Sequence, residues 1–563
     1  MKKLNITLLI TVLQLFLTYL GAQEQASLHT DRNIFIAGEN LFFNLYIVDK
    51  QGSTSSSKSN FAYLVLRNVQ NARIYGLRLK LNNGMASGSL YLPDTLSTGP
   101  YQLVAYTNYM RNAGEESFFT REIFVANRFD NEPGKLLSYA LNDTANVFTP
   151  LSAAGNNLKL SFDKPRYHKR EKISIDIDPS ESGLKSLTNI SISVHKTEPI
   201  ETVQTNSGLA DGKPESSECS YLPENKGTIV NGRLIDNDNQ KGLPEKIIFL
   251  STPDSIANLQ FTQTDKEGKF QFLLNGYYTN KKLYFKAQDT QNAKIEIDDK
   301  YDIKTAFKPS VRYSITAMVN YLTNAKNVTT IQKNYRSDYK KELTARPSKI
   351  ENPPTFYLKP YFTTYPADYV KLNDFVEISR ELLFLSKIRK HSKMYIINML
   401  DYNNKDFFSE SPLIFLDGVP IDDINQIIPL NTDKINKIET VGESLYYGGL
   451  FFSGIMAVFS KKNELNNIHW QSTTLSLKAE PDYPASVFCP PDYSKDNKRL
   501  RIPDFRQLLY WEPNATLQLG EKKHIECYAS DNTGEYTIDV KGVTADGTPV
   551  NASTTFTILS NSK

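Results

Sequence analysis

Short apolar runs alternating with polar turn signals fill residues 25 to 127, and this pattern predicts a multi-stranded β-domain. The runs Asn33 to Ile36, Leu41 to Val48 and Ala62 to Leu66 are separated by Ala37-Gly38-Glu39, the Ser-rich loop 52–59 and Asn82-Asn83-Gly84. A second β-domain is expected at about 155 to 215. There Tyr167 precedes Glu171 and Ile173 with the spacing that Phe35 has to Glu39 and Leu41. Strands continue through residues 226 to 290. From 300 to 370 the pattern loosens: Val311 to Val328 mixes apolar and polar positions, and Ile331 to Leu343 reads as a basic helix. Pro347, Pro353, Pro354, Pro360 and Pro366 then punctuate a linker. Phe375 to Arg389 has near-helical spacing, with Phe375, Ile378, Leu382, Leu383, Leu385 and Ile388 on one core-facing stripe.

Residues 411 to 462 combine both periods. The strand Leu413-Ile414-Phe415-Leu416 meets an Asp417-Gly418 turn and a helix-like stretch. A strand at Ile438 to Val441 and a Gly-rich turn then lead into Gly454 to Phe459. After residue 470 the alternation returns through Ala515 to Leu519 and Tyr536 to Val540, which fits a terminal sandwich. The expectation is a mainly β chain of several sandwiches with one small α+β segment.

A length of 563 residues implies several domains, since single cores stop growing near roughly 250 to 300 residues. The first 22 residues read as a secretory signal: Lys2 and Lys3, an apolar core from Ile6 to Leu20, and a small-residue cleavage site at Leu20-Gly21-Ala22. No Cys lies there, which excludes a lipoprotein anchor. A formal charge of +3 gives no hint of nucleic acid, and the 32 Tyr and 30 Phe suit β-structure and binding surfaces. Cys219, Cys489 and Cys527 are odd in number and lack CxxC spacing, so they read as structural thiols rather than a disulfide framework or metal knuckle.

Catalytic motifs are missing: no HExxH, no GxSxG, no GxxxxGK[ST] and no GxGxxG in a credible Rossmann unit. The histidines His29, His168, His195, His391, His469 and His524 are scattered singly, away from metal-ligand spacing, and nothing around His524 and Cys527 completes a nucleophile and base. The run Asp236 to Gly242 mimics a calcium loop, but Lys241 and Ile247 stand where the Gly and Glu of an EF-hand belong, so a polar turn is expected. The basic cluster Lys387, Arg389 and Lys390 reads as a solvated helix face. The chain is therefore expected not to be an enzyme and to hold no cofactor and no metal.

Four resemblances refine this picture. Residues 411–462, with Asp417-Gly418-Val419-Pro420, Ile438-Glu439, Tyr447-Gly448 and Gly454-Ile455, resemble the plug domain of TonB-dependent outer-membrane transporters. The residues after Lys462 are too few for the roughly 22-strand barrel that follows such a plug, at about 10 residues per strand. The phrase Gly84 to Pro93, then Thr98 to Thr107, is similar to macroglobulin-type domains of the α2-macroglobulin superfamily. None of the cysteines begins the Cys-x-Glu-Gln segment of the thioester members, which excludes protease trapping by that route. Gly227 to Asp236 and Thr264-Asp265-Lys266-Glu267-Gly268-Lys269-Phe270 look like the carboxypeptidase-regulatory-like fold, a prealbumin-like sandwich. Asp94-Thr95-Leu96, Asp143-Thr144-Ala145 and Asp254-Ser255-Ile256 resemble the O-glycosylation sequon of Bacteroidetes envelope proteins, which makes Thr95, Thr144 and Ser255 the glycan candidates.

Together these resemble exported multidomain Bacteroidetes proteins. The expected division is 1–22 signal, 23–130 and 150–220 macroglobulin-like sandwiches, and 226–300 regulatory-like domain. It continues with 301–370 partly helical linker, 371–465 plug-like domain and 470–563 immunoglobulin- or macroglobulin-like terminal domain. The resemblance implies an accessory or scaffold protein of the outer envelope, on the periplasmic or cell-surface side, that docks onto an outer-membrane β-barrel protein or complex. Contact with the membrane would run only through that partner. Asp417, Gly418, Tyr446, Tyr447, Gly448 and Gly449 are the candidate partner contacts. The alternative is a glycan- or nutrient-binding protein working with a TonB-dependent uptake system, with Trp470, Trp511 and Tyr510 stacking on sugars.

Overall fold

Period-two alternation is realised as strands through most of the chain, and only two α-helices, Ile315–Tyr335 and Phe375–Leu382, stand among the described residues. The structure is a computed structural model that describes residues 24–49, 58–130, 158–179, 188–202, 205–206, 220–309, 312–313, 315–335, 340–342, 355–494, 502–518, 520–544 and 549–560. The segment expected to be a secretory signal, Thr144 and Cys219 lie outside these residues. The chain forms two compact units: Met1–Asn225 with Lys300–Arg346 and Asp482–Lys563, and Lys226–Asp299 with Pro347–Pro481.

The first unit holds two sandwiches. In one, the sheet of Glu24–Thr30, Asn40–Asp49 and Met85–Tyr91 shares a core with the sheet that contains Phe61–Asn68, Arg73–Lys80, Gly99–Tyr106 and Phe119–Ala126. Leu28, Phe43 and Leu45 meet Leu64, Leu66, Leu103 and Ile123 there, the mainly β architecture that the alternation predicts.

The other sandwich departs from expectation. Strand Thr188–Lys196 is flanked by Leu508–Leu517 and Gly534–Thr544, and Lys172–Asp178 pairs with Lys523–Tyr528. Ile190, Ile192 and Val194 share one core with Leu509, Ile538 and Val540. The strands expected in separate domains, those within 159–196 and those within 508–559, are thus two halves of a single sandwich. Alternation tells a strand which face to bury, not which distant strand it will pair with.

The region expected as a linker also begins inside this unit. Tyr301 is buried in the core of the first sandwich, and Lys300 pairs with the buried Glu224 at 2.8 Å. Helix Ile315–Tyr335 lays Met318, Leu322 and Ala325 on Ile34, Ile36 and Phe124. The helix expected at Ile331 to Leu343 therefore starts earlier and ends earlier, because the apolar spacing of Met318, Leu322 and Ala325 supplies the face that packing needs.

Between the two sandwiches lies a buried polar seam. His29 Nδ1 sits 2.5 Å from Ser191 Oγ, and Ser193 donates to the Asp31 carbonyl at 2.5 Å. The Glu198 carboxylate accepts from the backbone N–H of Asn33 (2.9 Å) and Ile34 (2.5 Å), while Arg32 pairs with Glu39 at 2.6 Å.

In the second unit, Thr228–Asp236, Lys269–Leu274 and Ala293–Ile297 form one sheet. Leu259–Gln263, Ile247–Ser251 and Lys282–Ala287 form another, closed at its edge by Thr474–Lys478. Residues 474–478 thus complete this sandwich rather than opening a terminal domain, and their Leu475 and Leu477 pack on its core.

The region expected to resemble a plug is a five-stranded sheet ordered Phe362–Thr364, Ile435–Tyr447, Leu450–Ser460, Leu413–Leu416 and Val419–Ile421. Helix Phe375–Leu382 packs Phe375 and Ile378 on the same core as Ile438 and Val458. Its start is capped: the side chain of the N-cap residue Asp374 accepts from Glu377 N–H at 2.8 Å, and Glu377 reaches back to accept from Asn373 N–H at 2.7 Å. The helical reading to Arg389 fails after Leu382. Ser386–His391 instead pairs with Met394–Met399 as a hairpin, so the basic cluster Lys387, Arg389 and Lys390 stands on a strand, not a helix face.

Candidate functional site

The Asp417-Gly418 turn is shaped by the unit's own interior. Asp417 is buried, and its carboxylate accepts from Ser460 N–H (2.6 Å), Ser460 Oγ (2.7 Å) and Glu464 N–H (2.8 Å). Gly418 has φ +82, and a Cβ there would meet the Ile256 carbonyl at 2.7 Å. The turn is packed against residues 252–256 of the neighbouring sandwich, so neither residue offers free surface to a partner. The buried charge is justified by its donors, and an unmatched carboxylate there would be costly.

The second candidate group divides. Tyr447 donates to the Leu259 carbonyl at 3.0 Å and packs its ring on Phe261 and Phe356. Gly448 (φ +58) and Gly449 (φ +92) make the two-residue turn between Ile435–Tyr447 and Leu450–Ser460, a geometry that favours glycine at both places. A Cβ on Gly448 would meet the Phe261 ring at 2.6 Å, whereas Gly449 has open space. Tyr446 is 75% exposed and lies directly across the hairpin from Phe451, also exposed, with ring centroids 5.1 Å apart. Of the six candidate contacts, Tyr446, Gly448 and Gly449 are exposed.

Thr95 and Ser255 are exposed. Asp254 beside Ser255 accepts from Tyr277 (2.7 Å) and Lys281 (2.7 Å). Burial alone would raise its carboxyl, and these partners hold it below the usual range instead.

The aromatic residues of the glycan reading face inward. Trp511 is buried at the seam of the first unit, 5.2 Å from the His29 ring. Trp470 packs beside Tyr284 against the core that holds Ile438 and Val458, and Tyr510 is half-buried with its hydroxyl on Glu512. Exposed aromatics gather elsewhere. Tyr361, Phe362 and Tyr402 form one ring cluster in which Phe384 touches Phe362, and Phe384 is 71% exposed. The Tyr361 hydroxyl donates to Glu443 at 2.7 Å, which pushes that phenol up, and Lys405 lies over the Tyr402 ring at 3.8 Å. Phe362 belongs to the three-residue edge strand of the sheet. Its place between Pro360 and Pro366 reads as linker in the sequence, and no local signal separates the two.

Other candidates resolve into ordinary structure. Asp236 accepts from Asp238 N–H (2.9 Å) and Asn239 N–H (3.2 Å), which makes the calcium-like run a polar turn. Cys527 is buried, and burial pushes its thiol up to about 12, while Cys489 is exposed. Among the described residues no group of three or more His, Cys, Asp or Glu is placed to hold a metal ion. No helix among them is long and apolar enough to cross a membrane.

No protein-family model matches the chain, and no curated protein matches it. Solved structures similar to it include a mutant of Salmonella α2-macroglobulin, at 10% identity over 95% of this chain and 39% of that one, with a TM-score of 0.24. Trypsin-activated α2-macroglobulin from Escherichia coli is similar at 10% identity over 96% and 42%, with a TM-score of 0.25. The Escherichia coli adhesin FdeC is similar at 12% identity over 48% and 60%, with a TM-score of 0.15. The chain spans about two fifths of the length of the α2-macroglobulins it matches.

Proposed function

We propose that this chain is a non-enzymatic, exported scaffold of the outer envelope that docks onto an outer-membrane β-barrel complex through the plug-like part of its second unit. The observation that supports this reading is where apolar surface is left uncovered. Of the large hydrophobic side chains exposed among the described residues, all but Tyr91, Phe129, Leu222 and Leu273 lie between Leu358 and Phe451. Exposed apolar side chains that touch one another mark an interaction site more often than singly scattered ones do, and two such groups occur here. The Tyr446–Phe451 pair at the hairpin tip and the cluster around Phe362 are the anchors of this reading, since aromatics dominate the energy of most interfaces. The sandwiches set reach, and Thr95 and Ser255 stand where glycosylation of an exported protein would be tolerated.

A glycan-capture role remains a second reading, and it would use Tyr361, Phe362, Phe384 and Tyr402 rather than the inward-facing tryptophans. Purification of a tagged chain from detergent-solubilised outer membranes separates the two. Stoichiometric co-purification of a barrel protein, lost on replacing Tyr446 and Phe451 with Ser, is the expected outcome. A monomer that binds oligosaccharide supports capture, and a monomer that binds nothing removes both readings.

A further inference from the structure

The hairpin Ser386–His391 with Met394–Met399 has two unlike faces. Residues paired across an antiparallel hairpin share a face. Ile388 with Ile397 and Lys390 with Tyr395 therefore make one, and Lys387 with Asn398, Arg389 with Ile396 and His391 with Met394 make the other. The first face is packed: Ile397 is buried, and Ile388 and Tyr395 lean on the same core. The second is open to solvent. Met394 is 58% and Ile396 43% exposed, and Lys387, Arg389 and His391 are exposed beside them, with Lys393 in the turn. The hairpin contains no Asp or Glu. Among the described residues Lys387, Arg389 and Lys393 have no ion-pair partner.

A hollow of about 500 Å³ opens at the turn end of this face, with Met394, Ile396, Pro412 and Ile414 on its walls. Two carboxylates also line it: Asp422 is charge-paired with Lys286 at 2.6 Å, and Asp423 accepts from Asn425 N–H at 3.0 Å as a turn cap. The face thus couples a row of cations without acidic partners to uncovered aliphatic side chains and an apolar recess. A soluble polyanion would satisfy the cations and leave Met394 and Ile396 in water. An apolar protein groove would cover the aliphatic pair and strand the charges. The boundary of an anionic bilayer meets both needs, with phosphates at the level of the cations and acyl chains just below.

We propose that this hairpin face seats directly on an anionic phospholipid surface. The inference goes beyond docking to a barrel, which needs no direct lipid contact, and does not depend on it. The test is co-sedimentation of the exported protein with vesicles of phosphatidylcholine alone or mixed with phosphatidylglycerol. Binding to the mixed vesicles only, weakening as salt rises, is expected. Replacing Lys387→Gln and Arg389→Gln lowers the affinity roughly five-fold per residue. Met394→Ser with Ile396→Ser also weakens it, although no charge changes. All four residues are solvent-facing, so circular dichroism and melting of the variants stay as in the parent. Four results would each overturn the proposal: no binding, equal binding to both vesicles, binding untouched by the Gln pair, or binding untouched by the Ser pair. The last would mean adsorption to any polyanion.

Discussion

At the scale of single residues, the seam between the two sandwiches of the first unit couples folding to pH. Burial, with the nearby Lys541 and Arg121, holds the His29 imidazole well below its ordinary value, and burial also lowers His195. Groups depressed in the folded state contribute stability above about pH 6.5 and lose it as pH falls. Asp31 works in the opposite sense. Burial pushes its carboxyl up to about 7 against the opposing pull of Arg32. Its contribution is complete below its unfolded value of 3.8 and is lost as pH rises through 7. Lys541, lowered to about 8 by burial, is charged in both states below that value and adds no slope there. Between pH 7.5 and 5.5 the histidines and Asp31 therefore pull against each other. Denaturant midpoints at the two pH values check this. Asp31→Asn is expected to lose more stability on acidification than the parent, and His29→Gln with His195→Gln to gain some.

At the scale of elements, turn chemistry decides which positions tolerate change. Gly448→Ala meets both a left-handed backbone and the Phe261 ring, whereas Gly449→Ala meets only the backbone. The second is expected to cost about 1–2 kcal/mol and the first clearly more, read by thermal unfolding of the two variants. This Gly-rich turn was legible in the sequence, as were several strands: the expected Ile438 to Val441 lies within Ile435–Tyr447, and Leu41 to Val48 within Asn40–Asp49. The end of helix Phe375–Leu382 was not legible, because Leu385 and Ile388 fit a helical stripe and a strand equally well. Packing settled it by burying Ile397 opposite Ile388. The Phe362 cluster was hidden for a related reason. A three-residue edge strand between prolines is too short to carry a period.

At the scale of the whole molecule, pairing partners lie far apart along the chain. Arg166–His168 pairs with Thr557–Leu559, and Thr188 lies between Leu517 and Thr544. Ending the chain at residue 481 would uncover Ile190, Ile192 and Val194, and the first unit is expected to lose its second sandwich, seen as rapid proteolysis of residues 158–202 with the first sandwich retained. Ile192→Ala in the intact chain tests the same core at smaller amplitude, with an expected loss of about 2–5 kcal/mol in chemical unfolding. The interleaving also sets a clock. Strand Thr188–Lys196 must wait for the segment beyond residue 502 before either of its neighbours exists. At synthesis rates of about 5–20 residues per second that wait is roughly 15–60 s. Throughout it a β-strand with two open edges is available to the wrong partner. A chaperone able to hold extended strands until the C-terminal segment arrives is therefore expected to raise the yield of this protein without changing its final stability.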